Sequence, residues 1–153
     1  MVGVMSNSAR TQRFDVSATG ESHTKTTVTA RDFEFVIDEP PASGGTDDGP
    51  TPVEYLLGSW AGCLNVVAHL VADEYGFDLE SVEIHLEGEL DPARFLGKSD
   101  EPRPGYQEID VTLEVEADAE NEVLEEWLAE VERRCPVGDN IENETPTTLT
   151  LEH

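Results

Sequence analysis

Apolar and polar residues alternate in two clear stretches. Val82, Ile84 and Leu86 interleave with Glu83, His85 and Glu87. Ile109, Val111, Leu113 and Val115 interleave with Asp110, Thr112, Glu114 and Glu116. A period of two gives each segment one buried and one wet face, which predicts antiparallel strands. Upstream, residues 12–37 are rich in Thr, Val and Phe, and residues 27–30 and 33–37 read as strands. Residues 39–52 hold Pro40, Pro41, Gly44, Gly45, Gly49, Pro50 and Pro52 and form a loop. Residues 91–105, also rich in Pro and Gly, predict a mobile connection.

Two segments carry the helical period instead. After Pro52, apolar residues recur at Val53, Leu56, Leu57, Trp60, Ala61, Leu64, Val67, Ala68, Val71 and Ala72. Thr51 is placed to cap this helix, with Pro52 at its first position and Glu54 completing a capping box. Gly76 is its natural stop. So wide an apolar arc predicts a central, largely buried helix. A second helix is expected over residues 119–134, capped by Asp118, with Val123, Leu124, Trp127, Leu128 and Val131 inward. Cys135 follows on that face, Pro136 ends the helix, and a short turn spans residues 137–141. Residues 147–151 suit a last strand. The order β-β-β-α-β-β-α-β is that of an α+β domain with helices on one side of a sheet. Residues 1–13 read as a flexible polar lead-in, 14–151 as a single domain, and 151–153 (Leu-Glu-His) as a possible tag remnant.

Length and charge narrow the picture. A chain of 153 residues can bury a real core. The N-terminus lacks the apolar stretch of a signal peptide, and no run is expected to be long enough to span a membrane. The net charge is −25, from 34 acidic and 9 basic residues. Such a charge repels phosphate and speaks against nucleic acid or anionic membrane as partner. It suits a halophilic protein, because molar salt shortens the Debye length to about 3 Å and screens the self-repulsion.

The chemistry rests on two cysteines, Cys63 and Cys135. By spacing alone they are equally readable as packed core residues, since free Cys is among the most buried residue types. Two Cys with scattered His match no zinc spacing, and no metal or cofactor is expected. In a reducing cytoplasm, a bridge between them would be catalytic or sensing rather than structural.

Their contexts are more specific. The run from Gly44-Gly45-Thr46 through Pro52 to Gly58-Ser59-Trp60-Ala61-Gly62-Cys63 resembles the Gly/Pro-rich loop and helix that carry the first Cys of the OsmC/Ohr family. Cys135-Pro136-Val137 resembles that family's Cys-Pro-Val motif. The resemblance implies an OsmC-like fold, an intertwined homodimer and sites near the subunit interface. For the family's peroxidases it implies that Cys63 attacks a hydroperoxide substrate and becomes a sulfenic acid. Cys135 then condenses with it, and a dithiol reductant restores the pair. The alternative is a small-molecule binding or redox-sensing module of the same fold, or a dimer whose cysteines are only packed.

One departure weighs on the peroxidase reading. Peroxidase relatives place a Glu, paired with an Arg, ten residues before the first Cys, where this chain has Val53. Glu54 is one position off, and at about 100° per residue it points roughly opposite to Cys63, which suits capping. The pattern resembles the family's Glu-less YhfA-like branch. Arg31, the only basic residue between Lys25 and Arg94, is the candidate partner for a Cys63 thiolate, against the plainer reading of a surface ion pair. His69 and His85 read as exposed, and Trp60 and Trp127 as core anchors that could also line an apolar pocket.

Overall fold

A computed structural model describes residues 10–153, so most of the expected lead-in lies outside the described residues. The chain forms two compact units, Met1–Tyr55 and Leu56–His153. In the first, β1 (Ser17–Gly20), β2 (Thr26–Ala30) and β3 (Phe33–Ile37) make an antiparallel sheet in sequence order. β2 turns into β3 through Arg31 and Asp32, with Arg31 at φ 55°, in the left-handed region.

The loop after β3 is built around a buried carboxylate, Asp38. Its Oδ1 accepts from Thr24 Oγ1 at 2.8 Å and Glu39 N–H at 2.7 Å. Its Oδ2 accepts from the Thr46 hydroxyl and from Asp48 N–H at 3.1 Å. The Thr46 hydroxyl, helped by the other donors, holds this carboxyl well below the usual carboxylate range. Gly45 and Gly49 complete the loop, because a Cβ at either would fall within 2.3 Å of a backbone oxygen. A one-turn 3₁₀ helix, Pro41–Ser43, lies within it.

Helix α1 (Pro52–Tyr75) starts as expected. Glu54 N–H donates to Thr51 Oγ1 at 3.3 Å, and Thr51 N–H donates to Glu54 Oε1 at 2.9 Å. It ends in a Schellman motif: Gly76 has φ 79°, its N–H donates to Asp73 O, and Phe77 N–H donates to Ala72 O. At 24 residues and mean hydropathy 1.4, α1 is long and apolar enough to cross a bilayer by length and composition, which corrects the sequence expectation. Here it is a core helix. Its stripe Leu64, Val67, Ala68, Val71 and Ala72 is buried with Trp127, Val131 and Cys135. The helix is less enclosed than its periodicity suggested, for Val53 and Leu56 on the predicted apolar face are exposed, as are Val66 and Leu70 outside it.

The second unit adds β4 (Leu79–Leu90) and β5 (Tyr106–Ala117), an antiparallel ribbon. Val82, Ile84 and Leu86 pair across it with Val115, Leu113 and Val111, and the alternation gives the expected wet face. Among the described residues there are thus two sheets rather than one. Residues 91–105, expected to be mobile, are tied by hydrogen-bonded turns, including Lys98 N–H to Ala93 O at 2.8 Å.

Three expectations fail at the C-terminal end. Helix α2 (Asn121–Arg134) starts after Glu120, which makes no side-chain cap, so Asp118 is not the cap. Pro136 does end α2, but it also opens a further helix, α3 (Pro136–Glu142), where a turn was expected. Lacking an N–H and fixed in φ, proline suits a first helical position. Residues 147–151 form no strand, and Leu149 and Leu151 are fully or largely exposed. Alternation alone makes no strand without an edge to pair with.

The wet face of the ribbon opposes like charges directly: Glu83 with Glu114, Glu87 with Asp110, and Glu89 with Glu108. Such pairs are destabilising unless screened. Glu114→Lys is expected to raise the melting temperature by about 1–4 °C in low salt. The gain should shrink in molar KCl. Thermal melts at the two salt levels check this, and an equal gain in both would discount the repulsion.

Candidate active site

Two helices deliver the two thiols. Cys63 lies in α1, half-buried, immediately before Leu64, the first residue of the buried stripe. Cys135 is buried at the junction of α2 and α3. It closes the α2 face that runs through Trp127 and Val131. Trp127 locks α2 against α1 by donating its indole N–H to Ala68 O at 2.9 Å. With that contact made, both cysteines join one hydrophobic cluster, and both are free thiols.

The break at Pro136 gives Cys135 its surroundings. Its backbone is extended, and its sulfur accepts from Gly138 N–H at 3.4 Å as the cap of α3. Burial pushes the Cys135 thiol above the ordinary thiol range, the Gly138 N–H pulls it back, and Cys63 raises it further through a side-chain hydrogen bond and through charge. Both cysteines thus belong to one apolar cluster, Cys135 within it and Cys63 packed against it. A disulfide between them would require Cα atoms within about 7 Å.

A cavity of about 270 Å³ opens beside Cys135. Its walls are Trp60, Leu64, Ile109, Val111, Leu113 and Leu128, with Glu132, Glu142, Cys135 and Gly138 completing it. A neighbouring cavity of about 440 Å³ shares Trp60, Ile109 and Glu142 and is also lined by Arg103. Trp60 Nε1 is buried and has no hydrogen-bond partner among the described residues. Such a group is uncommon in folded proteins, where nearly all buried donors are satisfied.

Arg31 stands in the β2–β3 turn of the first unit, with its guanidinium 5.0 Å over the Phe33 ring. Val53 is partly exposed on the first turn of α1, and Glu54 is taken up by the cap. His69 and His85 are exposed, as expected. Of the two tryptophans, Trp127 is the core anchor and Trp60 faces the cavities. Glu132, Glu142, Gly138 and Arg103 were not singled out from sequence. Only the positions of Gly138 and Glu142, three and seven residues after Cys135, could have drawn attention to them.

This is an α+β protein with two cysteines in one apolar cluster, the second of them lining a cavity. Residues 45–150 match the family of OsmC-like proteins, and the chain belongs to that family. Solved structures agree on the fold. An OsmC-like protein from Mycoplasma pneumoniae superposes with a TM-score of 0.74 at 19% identity, covering 86% of this chain and 88% of that one. The organic hydroperoxide resistance protein OsmC of Legionella pneumophila gives 0.60 at 21% identity, covering 85% and 89%. The organic hydroperoxide resistance protein OhrB of Bacillus subtilis gives 0.56 at 23% identity, covering 84% and 90%. No curated protein matches the chain by sequence.

A raised thiol pKa means that Cys135 stays protonated where an ordinary cysteine has begun to ionise. Alkylation of Cys135 by iodoacetamide, followed by peptide mass spectrometry, should therefore inflect above the free-cysteine value of about 8.5. An inflection at or below that value would show that Cys135 is not held as a thiol.

Proposed function

We propose that the protein reduces organic hydroperoxides with its two cysteines. The observation that carries this reading is that Cys63 packs against the apolar cluster that holds Cys135, and that Cys135 and Leu64, the residue after Cys63, line an apolar cavity. The Cys63 thiolate attacks the distal peroxide oxygen, the O–O bond breaks, and the alkoxide leaves as an alcohol after taking up a proton. Cys63 is now a sulfenic acid. The Cys135 sulfur attacks the Cys63 sulfur and the hydroxyl leaves as water, aided by the Cys135 proton. Two electrons from a dithiol reductant restore both thiols. Arg31 is proposed as the cation that favours the Cys63 thiolate. The hydroperoxide resistance proteins among the structural relatives support this class of substrate.

Val53, where peroxidase relatives have Glu, favours slow turnover and the Glu-less branch. It also favours the second reading, a binding or redox-sensing module. Reaction with cumene hydroperoxide, followed by stopped flow, thiol counts and mass, separates the two. The parent should lose both thiols to an intramolecular disulfide. Cys135→Ser should consume about one peroxide and stop at a sulfenic acid or beyond, and Cys63→Ser should be inert. Val53→Glu should speed the parent. Equal reactivity of Cys63→Ser and the parent would overturn the assignment, and inert thiols throughout would leave the binding module.

The same proposal takes residues 14–151 as one working domain of a cytoplasmic homodimer, in a chain adapted to high salt. A cysteine pair that cycles between thiol and disulfide suits that compartment. The opposed carboxylates of the ribbon support the salt adaptation. Exposed Val66 and Leu70 on α1, and Leu149 and Leu151 beyond α3, supply apolar surface for a second copy. Light scattering in molar salt should give twice the chain mass, and a stable monomer would refute the dimer.

A further inference from the structure

Trp60 Nε1, Cys135 and the carboxylates of α2 and α3 meet at one place, and their combination restricts what can bind there. A Cβ placed on Gly138 would lie 3.0 Å from Trp60 Nε1 and 3.5 Å from Cys135 Sγ. The indole N–H and the sulfur are therefore close to a common point, kept open by the absence of a side chain at Gly138. The N–H is buried and unpartnered among the described residues, so it is a donor awaiting an acceptor. The cavity beside it is walled by aliphatic side chains, which suit a hydrocarbon body. Its two ionisable side chains apart from the thiol are both carboxylates, Glu132 and Glu142.

The neighbouring cavity changes this balance little. Arg103 lines it, but so do Glu108 and Glu142, so carboxylates outnumber the guanidinium there as well. An anionic ligand would be repelled at both cavities, on a chain already carrying a net charge of −25.

We infer that the cavity beside Cys135 selects uncharged organic hydroperoxides over anionic ones: the Trp60 indole N–H donates to a substrate oxygen, the aliphatic walls hold the organic group, and Glu132 and Glu142 exclude carboxylates. This rests on the peroxidase reading above for its substrate, while the selectivity belongs to the cavity itself. Trp60 is here a binding and positioning residue, and the sulfur chemistry is unchanged.

Redox-inert alcohols test the cavity apart from turnover. Isothermal titration calorimetry would compare cumyl alcohol with its 4-carboxylate on the reduced protein. The neutral alcohol should bind at least about fivefold more tightly. Glu132→Gln/Glu142→Gln should bring the two ligands within about twofold of each other, because the local repulsion is gone. Glu83→Gln/Glu114→Gln removes the same charge from the wet face of the ribbon and should leave the gap in place. Trp60→Phe should weaken the neutral alcohol by about 2–10-fold, the loss of one hydrogen bond, without closing the gap. Cumene hydroperoxide and its 4-carboxylate should show the same order in the rate of thiol loss. Equal binding of the two alcohols, no binding of the neutral one, or a gap that survives Glu132→Gln/Glu142→Gln would overturn the selectivity. Unchanged binding by Trp60→Phe would overturn the anchor. If the alcohols behave as expected but neither hydroperoxide consumes thiols, the cavity assignment stands and the peroxidase reading falls.

Discussion

The contact of Trp127 with the backbone of α1 sets the register of everything around the thiols. Its indole is almost wholly buried and donates to Ala68 O, while its ring meets Phe77 edge-on. Only a residue as small as Ala68 lets a helix backbone come within reach of an indole. The neighbouring Val71 and Val131 are completely enclosed. Interiors are packed to near-crystalline density, so helices fixed at such contacts cannot slide by a turn without opening cavities. Residues one turn or more from the anchor therefore take set places, and Cys63 and Cys135 are among them. That both thiols share one cluster follows from aromatic packing elsewhere on the same two helices.

Pro136 then separates two roles that one continuous helix could not combine. Had α2 continued, the Cys135 carbonyl and amide would have been absorbed into its ladder. Instead the residue is extended and its sulfur faces the first amides of α3. The resulting thiol is buried, yet held by a donor and next to a second sulfur. A protonated, desolvated thiol is a poor first nucleophile, and it carries a proton that a departing hydroxyl can use. This asymmetry between a half-buried Cys63 and a buried Cys135 matches the order of steps proposed for them.

What could be read from sequence divides along physical lines. Periodicity located β4, β5, α1 and α2, because burial on one face imposes a repeat on the residues that make it. Thr51, Glu54 and Gly76 marked the ends of α1 correctly, since their signals are local and each satisfies a backbone group. The two cysteines were legible through the residues beside them. The failures involve partners distant in sequence. Residues 147–151 alternate like a strand, but alternation carries no information about an available edge. Asp38 looked like one carboxylate among many, and its role depends on Thr24, Thr46 and the amide of Asp48 reaching it in space. Glu132 and Glu142 were hidden in the same way, among 34 acidic residues. Composition explained those residues collectively and so concealed the two that line a cavity.

The charge of this chain therefore acts differently in different places. On the wet face of β4 and β5, opposed carboxylates cost stability at low ionic strength, and mobile ions can screen them because water reaches them freely. At the cavity, Glu132 and Glu142 are exposed too, but they stand beside aliphatic walls and a buried indole N–H that suit an organic ligand. The same excess of carboxylates that keeps the protein dispersed in concentrated electrolyte would then, through Glu132 and Glu142, also bias its thiol site toward neutral, apolar molecules.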